Sequence, residues 1–385
     1  MPKENRKYRV FISAAEPSAD AHCAGLVAAL KGKNPNIECV GVGGAKMAEA
    51  GCELLETTGD KAAMTYNAFA HVAHYYLLIR RIARFLQANR PDLVIVCDSP
   101  AFNFHIAKAA KKIGIPTLFY VAPQLWAWAP WRIGKLRKFC DKLCCILPFE
   151  QEWFGSRGIE ATFVGNPLFD GLNVAELRNS QRGYGNFNPR NARIALMPGS
   201  RTAEIQSLWR PMQQIAVRLN KKFHGISFTA VAVDEKTRQA LDSTRLLGFQ
   251  CKYSIDSVYQ TANNCDFAIV ASGSATLQTA AAACPMVIMY QSNRILWHLV
   301  GRWLVTTKYL SLVNILARQE LVPEFMPYFG SVESIADTVA GLLSDSAQLA
   351  QTSSDLAKLV APLSAKKASV EVARIVNEML RSASA

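Results

Sequence analysis

A carboxylate that directly follows an unbroken apolar run is a candidate base, and Asp98 follows LVIVC (Leu93 to Cys97) in the stretch CDSPAFNF. At the mouth of an apolar crevice a carboxylate is partly desolvated, which makes it a better proton acceptor near neutral pH. The structural alternative is that Asp98 binds loop amides ahead of Pro100. A second acidic group, Glu16, lies in AAEPSADAH (Ala14 to His22), after another apolar run. Asp20 in the same stretch has the position of a helix N-cap. Glu16 has no obvious capping geometry and is the better chemical candidate.

Two further turns have the make-up of anion sites. In LMPGSRTAEI (Leu196 to Ile205) a Pro-Gly-Ser turn leads into a helix with Ser200 and Arg201 at its mouth. Exposed amides at a helix start favour an anion, and a guanidinium adds bidentate phosphate recognition. In VASGSATLQTAAAA (Val270 to Ala283), Ser272, Gly273, Ser274 and Ala275 separate a buried run from a helix rich in small residues. Small residues let a backbone approach a diphosphate closely; a tight helix-sheet contact would select the same residues. Together the two turns point to a nucleotide-diphosphate ligand. GVGGAKM (Gly41 to Met47) lacks the G-x-G-x-x-G spacing and no P-loop occurs, which disfavours dinucleotide and ATP binding of those kinds. His71 and His74 share one helix face at i, i+3, but with no neighbouring Cys and no H-E-x-x-H pattern they are not read as a metal site.

The stretch VAPQLWAWAPWRIGKLRKF (Val121 to Phe139) places Trp126, Trp128 and Trp131 just before Arg132 and Lys135, and YYLLIRRIARFL (Tyr75 to Leu86) mixes leucines and tyrosines with Arg80 and Arg81. Tryptophan belongs at a headgroup boundary, and Lys or Arg attracts anionic lipid, so both stretches read as contacts with a membrane surface. Alternatively the tryptophans fill an interdomain core and the cations line a phosphate site.

These groups need a scaffold. The 385 residues exceed the size at which one core usually stops growing, so two domains are expected. Apolar runs alternate with helical periodicity, through RVFIS (9 to 13), a helix at about 20 to 31, ECVGV (38 to 42), a long helical segment to Leu86, LVIVC, a helix at about 104 to 112, TLFYV (117 to 121) and KLCCIL (142 to 147). Runs apolar on both faces and separated by helices predict a parallel sheet between helical layers. After a polar segment, RNSQRGYGNFNPRN (Arg178 to Asn191), the alternation restarts with RIALM, SFTAVAV, DFAIVA and MVIMY. The reading is α/β, with one domain over 1–170, a second over 190–360 and a C-terminal helix in 361–385 able to pack on either. In such sheets ligands bind beyond the carboxyl ends of the strands, where each candidate lies.

The balance of 43 Lys plus Arg against 30 Asp plus Glu gives +13, which favours polyanions without choosing among them. No RNP, zinc-finger or basic-repeat pattern accompanies the charge, so nucleic acid is not the expected partner. Ten cysteines without a C-x-x-C pair read as reduced, cytosolic thiols. The polar N-terminus has no signal-peptide core, and no apolar stretch reaches the roughly 18 to 20 residues that span a bilayer.

Taken in order, AEPSADAH, GVGGAKMAEAGCE, DSPAFN, the tryptophan stretch, ILPFE, FVGNPLFD, LMPGSRTAEI, SGSATLQ and KYLSLVNILA resemble the lipid-A-disaccharide synthase family over most of the chain. The resemblance implies a GT-B architecture, two Rossmann-like domains facing across a cleft, an acceptor side in the first and a UDP-sugar donor site in the second. It implies an inverting, metal-independent transfer without cofactor, from UDP-2,3-diacylglucosamine to 2,3-diacylglucosamine 1-phosphate (lipid X), on the cytoplasmic face of the inner membrane of a Gram-negative-type bacterium. Asp98 matches the family's catalytic carboxylate and Glu16 the acidic residue of the first motif. Ser200, Arg201, Ser272, Gly273, Ser274 and Ala275 fall in the donor-diphosphate motifs, and Gln278 and Asn314 align near the uridine ribose and sugar. The chain departs from the family pattern at Ala15, Ala19, Ala101, Asn166, Gln278 and Val313. Gln278 replaces a glutamate that would accept from both ribose hydroxyls, whereas an amide offers one acceptor and one donor. Two other readings remain: a different GT-B UDP-sugar enzyme such as a UDP-GlcNAc 2-epimerase, and a non-catalytic nucleotide-sugar or lipid-binding paralogue.

Overall fold

The structure, a computed structural model, describes residues 6–58, 68–172, 183–301 and 304–382. The chain forms two compact units, one of residues 1–170 with 363–385 and the other of 171–362.

In the first unit seven strands form one parallel sheet: β1 (Tyr8–Ala14), β2 (Ile37–Gly43), β3 (Glu53–Thr57), β4 (Leu93–Cys97), β5 (Thr117–Tyr120), β6 (Lys142–Cys145) and β7 (Ala161–Phe163), in the order β3-β2-β1-β4-β5-β6-β7. Side chains alternate across each strand. Val10 and Ile12 of β1 therefore enter one core while Phe11 between them enters another. The first core is closed by helix α1 (Pro17–Lys33), through Leu26, Val27 and Leu30, and by the C-terminal helix Ala368–Ser382, through Val372, Val376 and Leu380. That C-terminal helix is thus part of the first unit, and its first amides, those of Ala368 and Ser369, donate to the Asp170 carboxylate at 2.6 and 2.8 Å.

The second core lies under α3 (Ala68–Asn89) and α4 (Pro100–Lys112), with Leu78, Ile82 and Leu86 spaced to line one face of α3. The short helices α2 (Ala45–Glu49), α5 (Ile133–Phe139) and α6 (Pro148–Gly155) complete the layers. The expected helical segment running on from β2 to Leu86 is corrected at β3, where Glu53–Thr57 pairs with β2. As an edge strand half exposed on both faces, β3 carries no apolar run to announce it. Residues 59–67 lie outside the described residues.

The second unit holds β8 (Arg193–Met197), β9 (Ser227–Ala232), β10 (Lys252–Ile255), β11 (Phe267–Ala271), β12 (Met286–Met289) and β13 (Glu324–Phe325), ordered β10-β9-β8-β11-β12-β13 and parallel throughout. Its core gathers Trp209, Met212, Ile215 and Leu219 from helix Thr202–Phe223 against Phe228, Phe267 and Ile269. The segment Arg178 to Asn191 is not a bare linker along its described part. Tyr184 is buried, donates its hydroxyl to the Asp266 carbonyl at 2.8 Å and packs edge-on against Phe187. Residues 178–182 lie outside the described residues.

Candidate active site

A doubly wound sheet reverses its strand order at one point, and the two strand ends there splay apart to leave a crevice. In the first sheet that point lies between β1 and β4, where Ala14 stands in register with Cys97. Glu16 follows one strand end and Asp98 the other. The Ser99 hydroxyl donates to Glu16 Oε1 at 3.0 Å and ties the two loops together. Asp98 and Ser99 both occupy the left-handed region, with φ of +50° and +43°. Non-glycine residues there are held only when their surroundings over-determine them. Here the holder is Asn103, fully buried in α4: its amide nitrogen donates to the Cys97 and Asp98 carbonyls, both at 2.8 Å, and its oxygen accepts from the Ser13 hydroxyl at 2.8 Å. The Asp98 N–H is bound in turn by the Tyr120 carbonyl of the neighbouring strand, at 3.1 Å. The Asp98 carboxyl is therefore carried on a backbone fixed from two sides.

Asp20 is corrected. Helix α1 begins at Pro17 with Glu16 as its N-cap residue, so Asp20 sits one turn inside. Its carboxylate instead caps α2, accepting the amides of Gly44, Lys46 and Met47 at 2.7 to 3.1 Å. Beside Glu16, on α3, Tyr75 has its phenol pushed up by burial and by the Glu16 charge, and its ring lies 5.2 Å from that of Phe102.

The tryptophan stretch divides. Trp126 is buried, donates its indole N–H to Glu150 at 2.8 Å and packs edge-on against Phe149 at 4.9 Å, which removes it from the predicted membrane set. Glu150, which sequence reasoning passed over inside ILPFE, is fully buried at the start of α6 and accepts the amides of Ile146 and Leu147 at 3.1 and 2.9 Å. Burial above all, and after it the charge of Asp98, pushes its carboxyl up to about 7 against the pull of the three donors. The only sequence signal was its capping spacing, a glutamate three positions after the N-cap.

Trp128 and Trp131 are 48% and 66% exposed, and Lys135 is exposed beside a half-buried Arg132. On α3, Tyr76 and Leu77 are 59% and 63% exposed. Arg80 lies over the Tyr76 ring, and Arg81, though its side chain is exposed, is paired with Glu56 of β3 at 3.1 Å. His74 also approaches Glu56, at 3.5 Å; the side chain of His71 lies outside the described residues. Among the described residues no helix is long and apolar enough to cross a membrane.

In the second sheet the order reverses between β8 and β11, and the two predicted anion turns follow those two strands. They differ. After β8, Glu204 already accepts the amides of Ser200 and Arg201, at 3.1 and 3.3 Å, and approaches the Arg201 guanidinium at 3.3 Å. Gly199 makes room for it: at φ +104° a Cβ there would stand 2.4 Å from a Glu204 oxygen. The expected open amides of this turn are thus taken by the chain's own carboxylate, while the Arg201 side chain stays 73% exposed. After β11, Gly273 is the N-cap residue of helix Ser274–Ala281 and no side chain caps it. Gly273, at φ +156°, is in a region open only to glycine, and Gly273 and Ser274 are exposed, with Ser272, Ala275 and Gln278 half-buried nearby. Asn314 is corrected: it is fully buried, its nitrogen donates to the Val322 carbonyl and to Glu324, and its oxygen accepts from the amides of Leu321 and Val322. All four of its hydrogen bonds are spent inside the protein, so in this conformation none is offered to a sugar.

Residues 10–379 match the family described as lipid-A-disaccharide synthetase. The chain is 31% identical over 381 residues to the lipid-A-disaccharide synthase of Geobacter sulfurreducens, covering 98% of each chain. It is 32% identical over 380 residues to that of an Anaeromyxobacter strain, covering 97% of this chain and 98% of the other. Among solved structures, the glycotransferase of kitacinnamycin superposes with a TM-score of 0.61 at 13% identity, over 97% of this chain and 99% of that one. A UDP-GlcNAc 2-epimerase from Neisseria meningitidis bound to UDP-GlcNAc superposes with a TM-score of 0.59 at 11% identity, over 98% and 100%. At such identities the structural likeness speaks for the fold, and the fold is GT-B.

Proposed function

The chain belongs to the lipid-A-disaccharide synthetase family, and from that premise we propose how its two strand-reversal points carry out the reaction. The protein is a glycosyltransferase that forms the lipid A disaccharide, joining UDP-2,3-diacylglucosamine to 2,3-diacylglucosamine 1-phosphate with release of UDP.

Asp98 is the base. The acceptor hydroxyl oxygen attacks the anomeric carbon of the donor from the face opposite UDP, a new C–O bond forms as the bond to the diphosphate oxygen breaks, and the hydroxyl proton passes to Asp98. The configuration at that carbon inverts, and the electron pair of the broken bond leaves on UDP. Glu16 does not compete for this proton; through its bond to Ser99 it orders the acceptor side of the same turn. The diphosphate charge is met by the uncapped amides at Ser274 and Ala275, with Ser272 and Gly273 beside them, and by the Arg201 guanidinium across the reversal point. Gln278 lies one turn further along the same helix, where it faces the nucleoside. Asn314 acts at one remove, by fixing the 310–324 segment through Glu324.

Acylated substrates require a membrane surface. Trp128, Trp131 and Lys135, with Tyr76, Leu77 and Arg80 on α3, supply exposed aromatic, apolar and cationic groups of the kind that settle at anionic headgroups. The membrane is the cytoplasmic face of the inner membrane, where the UDP-sugar is available.

The observation that carries this reading is the left-handed Asp98 turn, clamped by Asn103 at the point where the strand order reverses. Purified protein incubated with both lipid substrates yields the disaccharide 1-phosphate by mass spectrometry. Asp98→Ala abolishes it while UDP binding, measured by calorimetry, stays near the parent value. Turnover by Asp98→Ala removes Asp98 from the base role, and turnover of UDP-GlcNAc to its epimer in place of transfer would favour an epimerase.

A further inference from the structure

Glu150 is a fully buried carboxyl group that the mechanism above leaves without a task. Its place is specific. Three successive strand ends of the first sheet, those of β4, β5 and β6, lead into Asp98, the Trp126 loop and the Glu150 turn. The Trp126 indole crosses from the middle loop to one Glu150 oxygen at 2.8 Å, while the amides of Ile146 and Leu147 hold the other at 3.1 and 2.9 Å. The Asp98 amide is bound to Tyr120 at the end of the same middle strand. A capping role for α6 uses only one of the two oxygens; the indole occupies the other and fastens the middle loop.

We propose that Glu150 is a positioning residue for the transfer, which fastens the Trp126 loop beside Asp98 and, when ionised, places a second negative charge near Asp98 that strengthens it as a base. The inference rests on the reading of Asp98 as the base.

The groups acting on Glu150 are known from each side. Trp126 comes from the loop after β5, Ile146 and Leu147 from the end of β6, Asp98 from the end of β4, and Cys145 from β6 itself, whose thiol is pushed up by burial and then by the Glu150 charge. With its proton lost at about 7, Glu150 is half-ionised near neutral pH. Ionisation of Glu150 then raises the proton affinity of Asp98 through space.

The test is the pH profile of kcat with saturating UDP-2,3-diacylglucosamine and lipid X. The parent protein shows a step of roughly three- to tenfold centred near pH 7, as expected when a neighbouring charge lifts a base by about one unit. Glu150→Gln loses the step, matching the parent at pH 6 and falling short of it at pH 8. Trp126→Phe removes a donor that favours the ionised form, so its step moves to higher pH; this variant keeps the ring and serves if Glu150→Gln melts below assay temperature. A uniform loss of rate at every pH with the step in place, in either variant, marks a purely structural role and overturns the inference. Asp98→Ala separates the two ideas. Inactivity at every pH together with an unmoved step in Glu150→Gln sinks the Glu150 role alone, and activity of Asp98→Ala sinks the base assignment and this inference with it.

Discussion

Asn103→Ala is the sharpest test of how the Asp98 turn is held. The substitution deletes one acceptor, serving the Ser13 hydroxyl, and two donor contacts, serving the Cys97 and Asp98 carbonyls, each at 2.8 Å, the first two buried and the third partly buried. A buried hydrogen bond contributes about 1 kcal/mol net, and two of the three orphaned groups lie in the interior, so the expected loss is about 3 kcal/mol. Asp98 and Ser99 are also both left-handed, each at a strain of about 1 to 3 kcal/mol that the clamp offsets. Once it is gone, the turn relaxes and the carboxyl moves by about an ångström, which lowers kcat on the order of a hundredfold. Urea unfolding followed by circular dichroism reads the first effect and initial rates of disaccharide formation read the second. Asn103→Asp keeps the shape but turns an oxygen toward two carbonyls, and should do at least as badly. Ser13→Ala loses about 1 kcal/mol and leaves kcat within a few fold. Should Asn103→Ala lose less than about 1 kcal/mol with kcat unchanged, the turn would be self-supporting and the clamp irrelevant to the chemistry.

Asp20→Ala strips three amides at the start of α2 of their acceptor, and a loss of about 2 to 4 kcal/mol in unfolding free energy is expected; a change within 0.5 of zero, on about the same scale, would show that water replaces the carboxylate. Burial raises Glu150 from 4.5 to about 7 and lowers His22 from 6.5 to about 4. The unfolded chain releases the Glu150 proton first, so stability falls by about 3 kcal/mol as pH rises from 4.5 through 7. The unfolded chain binds the His22 proton first, so the His22 contribution is complete above 6.5 and is lost as pH falls toward 4. The two slopes oppose each other in the parent, and Glu150→Gln should uncover a rise of stability with pH in urea melts between pH 4 and 6.5; an unchanged slope would contradict it. Gly199→Ala, which forces Glu204 off the Ser200 and Arg201 amides, should weaken the start of helix Thr202–Phe223 by about 1 to 2 kcal/mol, measured by thermal melting. Trp131→Glu should reduce cosedimentation with anionic vesicles several-fold, whereas Trp126→Phe should leave it unchanged; equal loss in both would return Trp126 to the membrane surface.

Central strands were legible because they are apolar on both faces: LVIVC and RIALM coincide with β4 and β8 to the residue. The edge strands β3, β7, β10 and β13 were not, since each is short and partly exposed and draws its pairing from a neighbour rather than from its own pattern. The strand-end rule led to Asp98, Glu16 and the 272–275 turn, because one residue following an apolar run is a local property. What escaped were the partners brought in from elsewhere in the chain. Nothing local in AAEPSADAH says that Asp20 reaches across to α2, and nothing in ILPFE says that an indole 24 positions earlier ends on Glu150. Likewise the same glutamic side chain that follows PGSRTA also closes the turn that looked open.

The helix Ala368–Ser382 covers α1, and Asp170 caps it, so the nascent chain presents an unfinished first layer until residues 368–382 have been made. Residues 171–362 emerge and can collapse on their own while Leu26, Val27 and Leu30 still wait for a covering that follows that unit in the chain. A stop codon shortly after Pro362 would therefore damage the part of the protein made first and spare the part made next to it.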